Sequence, residues 1–383
     1  MFVETLQKNN PRFVAAAFEL YAAGALQPDS YLIDLDALLE NARLIKAKAD
    51  ECGVKLYYMT KQFGRNPYIA AKLYELGYQG AVAVDWREAL TLAEGGAKLG
   101  HVGHLVQTPL VVLEKLLSYH TEVLTVYSLA MAEQVNIVAK KLGITQKLLL
   151  KIVETGDVIY PGQQGGIPLT IATTTAEKIN ALGNVRVEGI TAFPCFLFDG
   201  TAIAATNNMT TLTTAAHVLR KNGIAINQIN TPSATCVASL PLLKANGSTH
   251  GEPGHALTGT TPLHAATTQP ERVALLYISE VSHNVLGQSL CYGGGYYRRS
   301  NMRMALVKSP DSDYDVIATG TVADDAIDYY LPLLDQRPVG TPVLFCFRTQ
   351  VFVTRSEVAL VEGIQSGLPR IVGIYDSQGR WLR

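Results

Sequence analysis

From Tyr31 to Thr268 the chain repeats one pattern eight times: a short apolar run, then a longer stretch with helical spacing. The runs that read as strands are Lys55–Met59, Gly80–Val84, Val102–Val106, Glu122–Val126, Leu148–Val153, Val185–Thr191, Ala225–Asn230 and a short one near Thr249–Glu252. Helical stretches such as Pro67–Leu76, Trp86–Gly95, Leu110–Ser118, Ala130–Leu142, Thr174–Leu182 and Leu212–Asn222 separate them. Eight strand–helix units of this length predict a (β/α)8 TIM-like barrel with parallel strands. A doubly wound open sheet has the same alternation, because the pattern by itself does not close a ring. Ahead of the repeat, Asn10-Pro11 starts a helix that apolar residues from Phe13 to Leu26 continue. After Pro270 the texture changes to short strand-like pieces joined by Gly, Pro and Asp turns. The expected division is residues 1–270 as the barrel with an N-terminal helical extension, and 271–383 as a C-terminal β domain.

Composition narrows the function classes. The 383 residues are 48% apolar, enough for a large core and a second domain. The net charge of -1, with lysines and arginines dispersed, argues against nucleic acid and anionic membrane as partners. No apolar run approaches the roughly 20 residues of a membrane span. The N-terminus lacks the charged-then-apolar order of a secretion signal. Cysteines 52, 195, 236, 291 and 346 are odd in number, widely spaced and without a CxxC, which fits neither a disulfide framework nor a structural zinc site. These features together predict a cytoplasmic chain.

Lys61 carries the first chemical signal. It stands at the end of Val54-Lys-Leu-Tyr-Tyr-Met-Thr-Lys61, before Gln-Phe-Gly-Arg-Asn-Pro67. A lysine at the mouth of a buried strand can lose its charge by desolvation and become a nucleophilic amine. A surface lysine paired with a carboxylate is the plain alternative. The all-apolar run before it, and the rule that barrel chemistry lies at the C-terminal ends of strands, favour the nucleophile.

Tyr31-Leu-Ile-Asp-Leu-Asp-Ala-Leu-Leu-Glu-Asn-Ala42, then Lys61-Gln-Phe-Gly64, then Ala83-Val-Asp-Trp-Arg-Glu-Ala89, resembles the opening of the alanine-racemase-like family, the fold-type III pyridoxal-phosphate enzymes. The resemblance spans nearly the whole chain and lies nearest a bacterial branch of amino-acid-racemase-like proteins. It implies the barrel, the β domain, pyridoxal 5'-phosphate as cofactor and Lys61 as its Schiff-base lysine. Glu252-Pro253-Gly254 then falls on the position that faces the cofactor's ring nitrogen. Alanine racemases have an arginine there. The ornithine, arginine and diaminopimelate decarboxylases have Glu-Pro-Gly-Arg, and the phosphate-gripping arginine is His255 here. The following Ala256-Leu-Thr-Gly259 resembles the racemase stretch, with Thr258 in place of a tyrosine, so the motif is a hybrid. A carboxylate on the ring nitrogen keeps it protonated and deepens the electron sink. Asn230-Thr-Pro-Ser233-Ala-Thr235 matches the family's Asn-Ser-Ala segment, which makes Ser233, Thr235, the backbone near Gly254, and Thr258 the expected phosphate cradle. Taken alone, Ser233 is a helix-cap residue.

Cys291-Tyr292-Gly-Gly-Gly-Tyr296 resembles the Ser-Tyr-Gly-x-x-Tyr segment of alanine racemase. Tyr292 then falls on the second base, which the neighbouring subunit supplies. Cys291 is a rival for that role, since diaminopimelate decarboxylase takes a cysteine from its partner. A bulged strand with packed tyrosines is the plain alternative. The three glycines suggest close approach to a ligand or another chain. Arg298 and Arg299 are candidates for lowering the tyrosine's pKa or gripping a substrate carboxylate, and Arg348 for a carboxylate clamp. Shared sites of this kind imply a homodimer.

Two departures stand out. Ala192 replaces the family's histidine in Thr-His-Phe, leaving Phe193 or Cys195 to fill the space. The arginine of Thr-Gly-Met-x-Arg is absent after Thr155-Gly156, with Tyr160 or Gln163 as substitutes. His104 is a candidate pocket residue. On a continuous strand His101 and His104 point to opposite faces and make a poor metal pair, and no metal site is expected. The reading is a racemase or epimerase of a small amino acid or derivative, working by two bases through an aldimine. A decarboxylase on the same scaffold and a non-catalytic cofactor carrier are the alternatives.

Overall fold

The computed structural model describes residues 1–310 and 312–383. It divides into two compact units: Arg43–Thr60 with Pro67–Gly254, and Met1–Ala42 with Lys61–Asn66 and His255–Arg383.

The first unit is the barrel. Its first strand is broken into Lys55–Leu56 and Tyr58–Met59. Lys55–Leu56 pairs with the last strand, His250–Gly251, and Tyr58–Met59 pairs with Ala81–Ala83. Between them run Leu99–Val102, Val123–Val126, Gln146–Val153, Val185–Thr191 and Gln228–Asn230, each parallel to its neighbours. The ring closes across the residues flanking Tyr57, which selects the barrel over the open sheet. Tyr57, Met59, Val82, Val84, Val123 and Leu149 pack together as a buried cluster. Helix starts follow ordinary capping chemistry: the Asp85 carboxylate accepts from Glu88 N, and the Ser128 hydroxyl from Met131 N.

One strand departs from the sequence expectation. The third barrel strand is Leu99–Val102, three residues earlier than Val102–Val106. Gly100 and His101 are weak strand formers, which hides this strand from a propensity reading. Gly100 is needed because a Cβ there would collide with the Tyr57 ring. Gly103 then ends the strand with φ +82, a conformation that favours glycine.

The second unit is a mostly antiparallel sheet. Its spatial order is Tyr314–Ala318, Met304–Lys308, Pro342–Phe345, Leu275–Val285, Ser30–Asp34, Glu357–Glu362 and Arg370–Tyr375. Ser30–Asp34 runs antiparallel to Leu275–Val285 and parallel to Glu357–Glu362. The far end of Leu275–Val285 continues past a bulge into pairing with Gln288–Tyr292, which pairs in turn with Tyr330–Leu333. Helices Val3–Asn9 and Pro11–Ala22 bury Phe2, Leu6, Phe13 and Phe18 against Leu32, Leu276, Leu306 and Leu344. None of the helices is long and apolar enough to cross a membrane among the described residues.

Candidate active site

In the barrel unit the chemistry gathers at the C-terminal ends of the strands. Glu252 follows the eighth strand directly, and its side chain is sealed from solvent, as is that of His101 on the third. His101 Nδ1 lies 2.6 Å from Glu252 Oε1, and Asn230 Nδ2 donates to the same oxygen at 2.6 Å. The other ring nitrogen, His101 Nε2, is 2.5 Å from Thr125 Oγ1 on the fourth strand. Burial alone raises the carboxyl's pKa. The charge and hydrogen bond of His101, the charge of His104 and the Asn230 amide outweigh it and hold Glu252 down at about 2. The second oxygen, Oε2, is buried with no hydrogen-bond partner. An unsatisfied buried acceptor costs roughly 1–3 kcal/mol, so this oxygen is an unspent bonding position.

His104 does not diverge from His101. The turn at Gly103 brings the two rings to 5.1 Å, tilted by 49°. This corrects the opposite-faces expectation, which assumed one continuous strand through both residues. Gln107 pins the turn by donating to Gly103 O at 2.8 Å and Thr125 O at 3.0 Å. Phe193 packs edge-on against His104 at 5.6 Å, and Tyr160 lies 5.8 Å from Phe193. Phe193 thus fills space beside His104. Cys195 is buried, its thiol donating to Ala192 O at 3.2 Å.

The loop after the seventh strand holds Ser233 and Ala234 at φ +94 and +50. Such angles in residues with a Cβ are strained, and strain of this kind collects at functional loops. The Ser233 hydroxyl donates to Phe196 O at 2.7 Å and accepts from Phe196 N at 3.1 Å. Thr235 Oγ1 accepts from Glu252 N at 3.1 Å, tying this loop to the one after the eighth strand. Gly254, the last residue of the unit, is buried.

In the second unit Lys61 opens the 3-10 turn Lys61–Phe63, one residue beyond Thr60. Thr349 Oγ1 donates to Gln62 O at 2.8 Å and fixes the turn. His255 is half-buried. Arg348 Nε donates to its Nε2 at 3.4 Å, and Gln350 Nε2 lies 3.5 Å from the same nitrogen. Burial, then the charges of Arg348, Lys61 and His264, hold the imidazole well below its ordinary range, so it is neutral. Lys61 and Arg348 thus converge on one uncharged ring, an arrangement suited to an anionic group. The Thr258 hydroxyl is engaged locally, donating to His255 O at 3.1 Å and lying 2.8 Å from Thr260 Oγ1.

Tyr292 ends the strand Gln288–Tyr292 and is 39% exposed, its ring 6.2 Å from that of Tyr330. Cys291 beside it is fully buried, and burial pushes its thiol up to about 12. The side chain at 291 is therefore not presented at the surface. The glycines that follow are close-packed against their own chain. A Cβ at Gly293 would strike Asp328 O, at Gly294 the Asp29 carboxylate, and at Gly295 the Tyr277 ring. That accounts for the triple glycine without a ligand or a second chain. Ser279 Oγ donates to Tyr292 O at 2.6 Å, and Asp328 accepts from Tyr296 N at 3.0 Å. Arg298 is exposed and donates to Asp324 O at 2.5 Å; Arg299 is also exposed.

Sequence reasoning missed His101, Asn230 and Thr125 as the surroundings of Glu252, and missed the buried Lys151 on the fifth strand. For His101 a signal existed in His-Val-Gly-His104, where the glycine marks a turn.

Pyridoxal phosphate can be tested against this geometry. Its protonated ring nitrogen is a donor that would satisfy Glu252 Oε2, and the carboxylate is already ionised for it. The residues present fit the group.

Comparison with known proteins agrees. Residues 33–262 match the family model for the alanine racemase N-terminal domain, and residues 276–371 match that for the YhfX-like C-terminal domain. The "Uncharacterized protein YhfX" of Escherichia coli K12 is 47% identical over all of both chains. Among solved structures, alanine racemase of Clostridium difficile 630 superposes with a TM-score of 0.66 at 16% identity, covering 91% of this chain and 98% of the other. The D-threo-3-hydroxyaspartate dehydratase of Delftia sp. HT23 gives 0.65 at 16%, covering 90% and 97%. The D-threonine aldolase of Filomicrobium marinum gives 0.64 at 14%, covering 92% and 95%. These structural likenesses bear on the fold. The two family matches and the full-length relative establish that the chain belongs to the alanine-racemase-like family of fold-type III pyridoxal-phosphate enzymes, with a YhfX-like C-terminal domain.

Proposed function

We propose that this protein is a pyridoxal-phosphate-dependent racemase or epimerase of a small amino acid or a derivative of one. The observation that carries the cofactor assignment is the buried Glu252 carboxylate, its pKa held at about 2 with one oxygen unpartnered; a glutamate here is shared with the decarboxylase pattern, so the choice of reaction rests on Tyr292. Bound there, the cofactor supplies an electron sink for the charge that develops when a bond at the substrate's α-carbon breaks. Glu252 would hold the ring nitrogen protonated, and His101 and Asn230 keep Glu252 ionised, with Thr125 orienting His101. Lys61 would anchor the cofactor, and its amine would take or return the α-proton on one face. In the barrel unit Ser233, the Thr235 loop and Gly254 are the candidates for holding phosphate; in the second unit the candidates are His255 and Thr258, with the positive charge of Arg348 and Lys61 beside His255. Tyr292 of a neighbouring copy serves the opposite face, which makes the functional unit a homodimer.

Racemisation is preferred over decarboxylation on one specific ground. Tyr292 is exposed, as a residue that serves another subunit must be, whereas Cys291 is buried with its thiol pushed up to about 12. The test is incubation of the purified protein with amino-acid pools in deuterated water. Deuterium at Cα with loss of chirality supports the proposal. Release of carbon dioxide assigns the chain to the decarboxylases, and bound cofactor with neither outcome assigns it to the carriers.

A further inference from the structure

Lys151 is a buried ammonium with no counter-ion among the described residues. It lies in the fifth strand and is 4% exposed. Its Nζ donates to Gln163 O at 3.0 Å and to the Tyr127 hydroxyl at 3.3 Å, and sits 4.4 Å from the Tyr127 ring centre. These partners are all neutral. Buried lysines are rare unless paired, because a desolvated charge without an opposite charge is costly. Burial alone lowers this amine to about 8, with no charged neighbour contributing. At neutral pH it is still mostly protonated.

The elements around it carry no charge toward Nζ. The fourth strand's end presents Tyr127, whose phenol burial pushes up to about 12, so it is neutral. The following loop presents Gln163 and the backbone of Gly166. The sixth strand presents Thr191, the register partner of Lys151. Two of these neighbours have unused polar atoms: Thr191 Oγ1 and Gln163 Oε1 are buried without a hydrogen-bond partner. The Thr191 hydroxyl is a donor lacking an acceptor. The unpartnered Gln163 atom is assigned as the amide oxygen, an acceptor; with nitrogen and oxygen exchanged, an assignment the hydrogen-bond network leaves free, the same amide offers a second donor. The ammonium itself has three N–H groups, and two are used. Lys151 also shares the chemical end of the barrel with Glu252. Tyr127 OH donates to His104 O at 2.6 Å, and the His104 ring lies 5.1 Å from that of His101, the partner of Glu252.

We propose that Lys151, with Thr191 and Gln163, forms a subsite for a second carboxylate on the substrate, so that this enzyme acts on an amino acid whose side chain carries an acid group. A single ammonium with two neutral donors matches the unit charge of a carboxylate. This rests on the reading that the chain acts at the α-carbon of free amino acids. Binding of the anion requires protonated Lys151, so the preference holds below about pH 8 and fades above it.

The test is calorimetric binding to the full chain with its cofactor as purified, comparing aspartate and glutamate with asparagine and glutamine. Succinate and glutarate, which have no amine and cannot react, complete the set. The acids are expected to bind at least roughly tenfold tighter than the amides. Succinate or glutarate should bind the native protein and lose that affinity in Lys151→Met. Equal affinity for acids and amides at neutral pH overturns the subsite, as does an acid preference that survives in a Lys151→Met protein with native circular dichroism. Should that variant fail to fold, the native chain still decides: a preference that does not weaken between about pH 7 and about pH 9 overturns the proposal. Acid preference without α-proton exchange would sink the reaction assignment and leave the subsite. Exchange on neutral amino acids without acid preference would do the reverse.

Discussion

His101 Nδ1 and Glu252 Oε1 lie 2.6 Å apart with both side chains sealed from solvent. The third and eighth barrel strands are thereby joined by a charge contact at their chemical ends. Removing one partner of such a pair leaves the other buried and uncompensated, at a cost of roughly 3–5 kcal/mol. His101→Ala and Glu252→Gln are therefore each expected to lower the denaturation midpoint markedly, the first by leaving a buried carboxylate uncompensated and the second by removing the charge contact. In cofactor-loaded protein, Glu252→Gln should slow α-proton exchange by at least roughly a hundredfold. Comparable exchange in the two proteins would remove Glu252 from the chemistry.

The same pair predicts how stability responds to acid. Glu252 titrates at about 2 in the folded chain against an ordinary value of 4.5. Its contribution is complete above about pH 4.5 and is lost as the pH falls through about 2. Urea melts between those limits should show a loss of stability that Glu252→Gln reduces.

His255 takes the place of an arginine in the decarboxylase pattern, and the structure supplies a reason for the exchange. Burial, and then the positive charges of Arg348 and Lys61, already hold this ring neutral. A third cation there would repel both. His255→Arg should cost about 2 kcal/mol in chemical denaturation, and His255→Gln appreciably less. Equal stability of the two variants would show that the charges do not interact.

Gly294 has φ +141, and a Cβ there would collide with the Asp29 carboxylate. Gly294→Ala is expected to cost more than about 2 kcal/mol and to abolish any role of Tyr292, because the loop holding it must shift. Gly162 also has positive φ, but a Cβ there meets open space. Gly162→Ala should be far milder, and thermal melting of the two variants separates packing from backbone strain.

The barrel and the β domain were legible because strand–helix alternation and turn chemistry are local properties. The third strand was not, because Gly100 and His101 owe their extended conformation to Tyr57, Thr125 and Glu252, which are distant in sequence. Lys61, Glu252 and Tyr292 were visible through motifs. Their surroundings were hidden for the same reason as the strand: Asn230, His101 and Thr125 meet Glu252 only when the ring closes. The triple glycine was legible as a close approach, but to a ligand or another chain rather than to its own residues. Its partners, Asp29, Asp328 and Tyr277, come from other strands and loops of the folded unit.

The most direct test follows both enantiomers of an exchanging amino acid in deuterated water with native protein, Lys61→Ala and Tyr292→Phe. The account predicts exchange with inversion in the native protein and none in Lys61→Ala. In Tyr292→Phe it predicts exchange restricted to one enantiomer, with inversion lost. Inversion at the native rate in Tyr292→Phe, or exchange that persists in Lys61→Ala, would contradict it.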